Sequence, residues 1–225
     1  MSRACVLFDL DGTLTDADHL HFSAFNQVLG RFGRAIELDY YKSDVMGHAN
    51  PVIFEKLFPG ETDAHPVLAD EKEASFRQLA AVLHPAEGLL DLLAFLRGKG
   101  VPHGIVTNAP RANAVHELQA MGLGGHFQAL VIGEELPHAK PHPLPYLTGL
   151  ALMDGAAEQS LAFEDSLSGL RSAVEAGLAV VGLTTSLPAS TLLAAGAALA
   201  IADFTDVRLR PLLERRLGLH MPASA

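Results

Sequence analysis

The feature that most limits how this chain can fold is an alternation of short apolar runs with helical segments, which begins near residue 85 and continues past residue 195. The apolar runs cover 101–106, 129–132, 160–163, 179–183 and 199–201. The helical segments cover 89–98, 111–122, 143–152, 168–177 and 189–196. Strands that alternate with helices form βαβ units, so this pattern predicts an α/β fold with a parallel sheet.

The beginning of the chain follows a different pattern. An apolar run leads into the sequence FDLDGTLTD at 8–16, and helical patterns at 21–32 and 70–83 follow without a clear strand. We therefore predict an all-helical insertion after the first strand of the sheet. The predicted domains are a sheet domain and the helical insertion, which cover 1–15 with 85–225, and 16–84, respectively.

Composition narrows the possible functions. With 49% hydrophobic residues the chain can bury a large core, and a net charge of −10 argues against nucleic-acid binding, which relies on Lys and Arg. The single cysteine, Cys5, excludes a disulfide framework within the chain. No signal peptide or long apolar segment is evident, so we expect a cytoplasmic protein without a membrane partner. We expect the tail at 221–225 to be frayed.

The polar residues with the strongest chemical character all follow predicted strands. The carboxyl ends of parallel strands meet at one edge of a sheet, where α/β proteins bind their ligands. Several carboxylates together with one ammonium group and one hydroxyl suit a hard divalent cation plus a phosphate. These residues are Asp9, Asp11, Thr107, Asn108, Lys140, Glu164 and Asp165.

Four ordered motifs resemble those of the haloacid dehalogenase superfamily of phosphatases and phosphotransferases. They are FDLDGTLTD at 8–16, TN at 107–108, KP at 140–141 and FEDSLSG at 163–169. The resemblance covers essentially the whole chain and points to phosphatase and β-phosphoglucomutase-like members with a helical cap of the C1 type. It implies a Rossmann-like parallel sheet with helices on both faces, and it makes the insertion at 16–84 the cap, which determines substrate specificity.

The resemblance also implies roles for the acidic residues. Asp9 would attack phosphorus and form an aspartyl-phosphate, and Asp11 would serve as general acid and base. Magnesium would be held by the Asp9 carboxylate, the backbone carbonyl of Asp11 and Asp165, with Glu164 as the second choice. The sequence further predicts that Asp16, the last residue of the first motif, is the N-cap of the first cap helix.

Phosphate binding is assigned to the other core motifs. Thr107 and the amide of Asn108 would bind phosphate oxygens, and Lys140 would contact both the phosphate and Asp9. Gly12 would allow a tight turn and a close approach of the backbone.

The cap contributes candidates for substrate contact, which are His21, His48 and Asn50. Asn50 stands near the position where β-phosphoglucomutases usually carry an arginine, which argues against mutase activity. Lys72 and Arg77 either face the cleft or lie in solvent, and the sequence leaves both alternatives open.

The leading hypothesis is therefore a magnesium-dependent phosphatase of small phosphorylated metabolites, such as sugar phosphates or phosphoglycolate. A phosphomutase of the β-phosphoglucomutase type is the alternative enzyme, and a catalytically silent binding protein is the alternative without chemistry. Haloacid dehalogenases lack the second Asp of the first motif, so Asp11 argues against dehalogenation. We expect no nucleic-acid partner and a monomer or homodimer.

Overall fold

A single parallel sheet organises the computed structural model, which describes residues 3–219. Its six strands lie in the order β3-β2-β1-β4-β5-β6. Their bounds are β1 Val6–Phe8, β2 His103–Thr107, β3 Ala129–Ile132, β4 Leu161–Glu164, β5 Ala179–Leu183 and β6 Leu199–Ile201. Every predicted run from 101 onward forms a strand, and this confirms the predicted parallel α/β fold. The tail at 221–225 lies outside the described residues.

Helices connect the strands and form the insertion. Their bounds are α1 Asp18–Gly30, α2 Leu38–Tyr40, α3 Asn50–Leu57, α4 His65–Leu79, α5 Leu89–Gly98, α6 Arg111–Ala120, α7 Leu144–Leu152, α8 Leu167–Glu175, α9 Ala189–Ala194 and α10 Leu209–Arg216. A π-helical turn, Tyr41–Val45, continues α2, and short 3-10 turns lie at Gly133–Glu135 and Ala157–Gln159. None of the helices within 3–219 has the length and hydropathy that crossing a membrane requires.

Both faces of the sheet are covered, which explains why the strands are nearly uniformly apolar. Successive side chains of a strand point to opposite faces. Val6 and Phe8 accordingly belong to the hydrophobic cluster on one face, and Leu7 belongs to the cluster on the other. The ring of Phe8 stacks on Phe163 of the neighbouring strand, with ring centroids 4.9 Å apart.

The register places the candidate residues at one edge. Phe8 pairs with Ile105 on one side and with Phe163 on the other, so the residues that follow these positions emerge together. Strand β1 lies where the chain order reverses, since β2 and β3 extend the sheet one way and β4 to β6 the other. Ligands of α/β proteins bind at this kind of position.

The insertion has a hydrophobic cluster of its own. Phe25, Val45, Phe54 and Phe58 are among the buried residues of this cluster, which is separate from the two clusters of the sheet. A separate cluster is what a cap domain requires, although the boundaries at 16 and 84 stay a prediction.

Two features of the fold differ from the sequence-based expectations. Helices α2, α3 and α10 were not predicted, because none of them is longer than eight residues, which is too short to show a clear period. The prediction that Asp16 caps α1 is wrong. The N-cap is Ala17, whose carbonyl accepts the first helical hydrogen bonds from Leu20 and His21, and the Asp16 side chain is exposed.

Candidate active site

A tight turn after β1 places Asp9 and Asp11 close to Asp165. Gly12 has a φ of +71°, which a residue with a side chain rarely adopts. A Cβ at this position would lie 2.1 Å from Oδ2 of Asp165, so any larger residue would displace that carboxylate. The turn therefore needs glycine for its backbone conformation and for its contact with Asp165.

A buried lysine lies between two carboxylates at the strand ends. The Lys140 Nζ donates to Asp9 Oδ1 at 2.7 Å and to Glu164 Oε1 at 2.6 Å. The Tyr146 hydroxyl also donates to Glu164 Oε1, at 2.7 Å, and Ser166 donates to the other oxygen at 3.3 Å. Glu164 is fully buried and bonded on both oxygens, so its geometry favours holding Lys140 over binding a metal.

Asp9 and Asp165 at this edge can hold a divalent cation, with Glu164 close by. Oxygens of Asp9, Glu164 and Asp165 lie within 4.8 Å of one another. Burial raises the pKa of Asp9 to about 7, with the charge of Glu164 as the next cause, and burial followed by the charge of Asp9 raises the pKa of Asp165. Because hard cations prefer oxygen ligands and would offset this repulsion, the site fits a hard divalent cation.

Asp11 has a different partner. His21 Nε2 lies 2.9 Å from Asp11 Oδ1, and His21 Nδ1 lies 2.8 Å from the Nζ of buried Lys72. An ammonium group can only donate, so Nδ1 accepts and Nε2 carries the proton that is donated to Asp11. Burial acts to raise the pKa of Asp11, but the hydrogen bond from His21, with the charge of Lys72 behind it, outweighs burial and holds the pKa below its usual value.

The two phosphate-binding candidates lie beside these groups. The Thr107 hydroxyl accepts from the backbone N–H of Ala109 at 2.9 Å. The Asn108 side chain donates to the Lys140 carbonyl at 3.1 Å and accepts from the Lys140 N–H at 3.1 Å. It also donates to the carbonyl of Gly47 in the cap at 3.2 Å. The Asn108 side chain thus holds the backbone of Lys140 in place and links it to the cap.

A cavity of about 80 Å³ collects these residues. Since one water needs roughly 10–15 Å³ measured in this way, several waters or a small phosphate ester fit within it. The predicted residues that line it are Asp9, Asp11, His21, Thr107, Asn108, Lys140 and Asp165.

Comparisons with known proteins agree with this geometry. Residues 6–183 match the family model of haloacid dehalogenase-like hydrolases. The chain belongs to this family. The phosphorylated carbohydrates phosphatase of Thermotoga maritima is 30% identical over 200 residues, which cover 85% of this chain and 91% of that protein. The phosphoglycolate phosphatase of Pseudomonas putida is 32% identical over 186 residues, which cover 80% and 68%.

A solved structure shows the same fold. A haloacid dehalogenase hydrolase of family IA, variant 3, from Entamoeba histolytica superposes with a TM-score of 0.86 at 24% identity. The alignment covers 95% of this chain and 99% of that one. These findings confirm the superfamily and the Rossmann-like fold predicted from the four motifs.

Two of the predicted cap contacts in this haloacid dehalogenase-like hydrolase lie outside the cavity. His48 Nδ1 lies 3.2 Å from the carbonyl of Met46, and Asn50 donates to Glu73 Oε1 at 2.7 Å. Both side chains are therefore turned toward the cap itself. The cap instead contributes to the cavity wall the residues Phe25, Tyr41, Val45, Met46, Gly47 and Ile53.

Asp18 is a cavity residue that the sequence did not single out. The Tyr41 hydroxyl donates a hydrogen bond to Asp18 Oδ1 at 3.0 Å, and the Ser186 hydroxyl lies 2.7 Å from Asp18 Oδ2. The same hydroxyl is 2.6 Å from Asp165 Oδ2. Tyr41 and Ser186 are far apart in sequence, so only the folded chain reveals this arrangement.

Glu117 of α6 was also missed. It is fully buried, and within 3–219 neither of its side-chain oxygens has a hydrogen-bond partner. Its carboxylate lies within 4.8 Å of Asp11 and His21, and burial followed by the charge of Asp11 raises its pKa well above the usual value. No sequence signal marks Glu117, because a glutamate within a helix normally lies in solvent.

The open question about Lys72 and Arg77 now has an answer. Lys72 is buried behind His21, and it bonds to Glu73 Oε1 at 2.9 Å. Arg77 donates to Asn113 Oδ1 of the sheet domain at 2.7 Å, and Asn113 donates to Glu73 Oε2 at 2.5 Å. Arg77 therefore joins the cap to the sheet domain, whereas Lys72 contacts His21 and Glu73 within the cap.

Proposed function

We propose that this protein is a magnesium-dependent phosphatase, which hydrolyses small phosphate monoesters of the sugar phosphate or phosphoglycolate type through an aspartyl-phosphate. The family and the two phosphatase relatives support hydrolysis of phosphate monoesters. One observation carries the proposed mechanism: Asp9 and Asp11 line the same cavity but have different partners. Lys140 donates to Asp9, and His21 donates to Asp11.

In the first step, an oxygen of Asp9 forms a bond to phosphorus and the bond from phosphorus to the leaving oxygen breaks. The negative charge of the bound phosphate raises the pKa of Asp11 from its lowered value in the free site, so Asp11 is protonated and gives its proton to that leaving oxygen. In the second step, water attacks phosphorus, Asp11 takes a proton from the water, and the bond between Asp9 and phosphorus breaks. Phosphate is released, and both aspartates return to their starting states.

Charge neutralisation makes the attack of one anion on another possible. Lys140 lies 2.7 Å from Asp9 and stabilises the negative charge that the phosphoryl group brings to it. Thr107 and Asn108 orient the phosphate oxygens. Mg²⁺, held by the carboxylates of Asp9 and Asp165 and the backbone carbonyl of Asp11, supplies positive charge next to the phosphate when bound.

Hydrolysis of p-nitrophenyl phosphate tests the proposal. We expect activity that requires added Mg²⁺ and falls at least roughly 1000-fold in Asp9→Asn, because the amide is not a nucleophile. Asp16→Asn is the matched control, since Asp16 is exposed and only seven positions away, and it should retain full activity. Retained activity in Asp9→Asn would exclude Asp9 as the nucleophile.

Two further parts of the proposal concern the surroundings of the reaction. We propose a small phosphorylated metabolite as the partner, and a cytoplasmic monomer or homodimer as the form that acts on it. Size-exclusion chromatography with light scattering distinguishes the two oligomeric states.

A further inference from the structure

The wall of the cavity on the cap side is mostly apolar. Phe25, Val45, Met46 and Ile53 line it, and the polar groups next to them are the paired side chains of Asp18 and Tyr41. The phosphate group belongs to the strand-end side, with Lys140 and Thr107. The leaving group of a bound ester therefore faces the apolar wall and Asp18.

The charges around this space are unfavourable for a second anion. Within the described residues, Lys140 is the one lysine or arginine that lines the cavity, and it already contacts Asp9 and Glu164. Lys72 is separated from the cavity by His21, to which it is bonded. A carboxylate on the leaving group would lie next to Asp18 and, within residues 3–219, would have no cation to pair with. Binding it would be unfavourable, because like charges at close range repel.

Asp18 is at the same time well placed to accept a hydroxyl group. Tyr41 donates to Oδ1, and the Ser186 hydroxyl lies at Oδ2, where its single proton is shared with Asp165 Oδ2. A carboxylate has about four acceptor positions, so roughly two remain for a ligand. The contacts with Tyr41 and Ser186 fix the orientation of the carboxylate and leave it half-buried at the cavity.

We propose that Asp18 is a specificity-determining residue, which selects phosphate monoesters with an uncharged, hydroxylated leaving group and disfavours those whose leaving group carries a carboxylate. This inference rests on the proposed phosphatase function and narrows it. Of the two substrate types named above, it favours the sugar phosphate type over phosphoglycolate.

Two esters of similar size test the inference. 2-Hydroxyethyl phosphate and phosphoglycolate share a two-carbon chain, and the first ends in a hydroxyl where the second ends in a carboxylate. For the wild-type enzyme with Mg²⁺ we expect kcat/KM to be at least roughly 100-fold higher for the hydroxyl ester, as for sites that hydrogen-bond a substrate hydroxyl.

The variant Asp18→Asn should reduce this preference. The amide keeps the size of the side chain and an acceptor for Tyr41 but removes the charge. We expect kcat/KM for phosphoglycolate to rise about tenfold and that for 2-hydroxyethyl phosphate to fall about tenfold, since hydrogen bonds to charged acceptors are the stronger ones. Asp16→Asn, with an exposed carboxylate two positions earlier, should keep the wild-type preference.

The possible outcomes separate this inference from the proposed function. Equal or faster hydrolysis of phosphoglycolate by the wild-type enzyme would overturn the inference and leave the phosphatase intact. An unchanged preference in a folded Asp18→Asn variant would also overturn it. Failure to hydrolyse either ester or p-nitrophenyl phosphate would instead refute the proposed function. The wild-type comparison decides even if Asp18→Asn does not fold.

Discussion

Two buried lysines lie near Asp9 and Asp11 of the first motif, and they contact these aspartates in different ways. Lys140 belongs to the sheet domain and contacts Asp9 directly at 2.7 Å. Lys72 belongs to the cap and reaches Asp11 only through His21, by contacts of 2.8 and 2.9 Å. The charge beside Asp9 therefore comes from the sheet domain, whereas the charge behind Asp11 comes from the cap.

The electrostatic result is opposite for the two aspartates. The pKa of Asp9 is raised to about 7 by burial and by Glu164, despite the contact with Lys140. The pKa of Asp11 is lowered, because His21 outweighs the effect of burial. The cationic partner of Asp9 and that of Asp11 lie in different parts of the chain, so the effect of each can be tested separately.

The largest effect is expected from Lys140→Met. Removing this cation leaves Glu164 fully buried without its charged partner, which typically costs about 3–5 kcal/mol of stability. Loss of the charge beside Asp9 should also lower kcat/KM at least roughly 100-fold. Urea unfolding and p-nitrophenyl phosphate hydrolysis measure the two effects.

Lys56→Met provides the control for Lys140→Met. Lys56 is an exposed lysine that pairs with Asp44 at 3.2 Å, so its loss should cost less than about 1 kcal/mol and leave activity unchanged. Equal losses of stability and activity in the two variants would mean that the buried pair of Lys140 and Glu164 contributes no more than an exposed pair.

The next effect concerns pH and Mg²⁺. An acid whose pKa is raised in the folded state binds more protons there, so its contribution to stability is lost as pH rises from about 4 to about 7. Between pH 5 and 7.5 the metal-free protein should lose about 3 kcal/mol, or roughly 6–12 °C in Tm. Thermal unfolding at several pH values measures this, with EDTA or with Mg²⁺.

Two comparisons identify the source of that pH dependence. Mg²⁺ binds the ionised carboxylates, so it should restore most of the Tm at pH 7.5. Asp9→Asn removes one raised pKa, so its Tm should fall less with pH. A wild-type Tm that does not change with pH in EDTA would contradict the charge repulsion proposed for this edge.

The sequence predicts the site residues at the strand ends but not those on the packed helices. Asp9, Lys140 and Asp165 were predictable, because each follows an apolar run and parallel strands bring such positions together. Lys72, Glu117 and Asp18 were not. Their positions depend on how helices of the cap and of the sheet domain pack, and the sequence pattern of one helix does not specify its neighbours.

The cap itself illustrates the same limit. Its existence followed from a helical region without strands, but the predicted contacts His48 and Asn50 lie outside the cavity. The direction of the Asn50 side chain is fixed by Glu73, which lies 23 residues away in the sequence.

A smaller effect is expected from Lys72→Met. Glu73 keeps its bonds to Asn50 and Asn113, so the loss of stability should be about 2 kcal/mol, less than for Lys140. Removing the positive charge should raise the pKa of Asp11. The limb of the kcat/KM profile that depends on Asp11 should therefore move to higher pH by about half a unit or more.

The control for Lys72→Met is Lys42→Met, which changes an exposed lysine of the same cap. Its profile should match that of the wild type. If the pH profile of kcat/KM is unchanged in Lys72→Met, the contact through His21 does not affect the pKa of Asp11. Lys72 and Lys140 would then differ only in where they lie.

The smallest effect is expected from Asn113→Ala, which tests whether cap closure matters for binding. Asn113 is fully buried in α6 and bonds both Glu73 and Arg77 of α4, so it joins the cap to the sheet domain. Its loss should weaken the closed arrangement by about 1 kcal/mol. Because Asn113 does not line the cavity, KM should rise about fivefold while kcat stays nearly constant.

The matched control for Asn113→Ala is Asn26→Ala. Asn26 also makes two hydrogen bonds, but both go to the backbone of Ile36 within the cap. This variant should lose stability without a change in KM, because it leaves the contacts between cap and sheet domain intact. If KM rises equally in both variants, general loosening of the cap explains the effect. If it rises only in Asn113→Ala, closure of the cap onto α6 contributes directly to substrate binding.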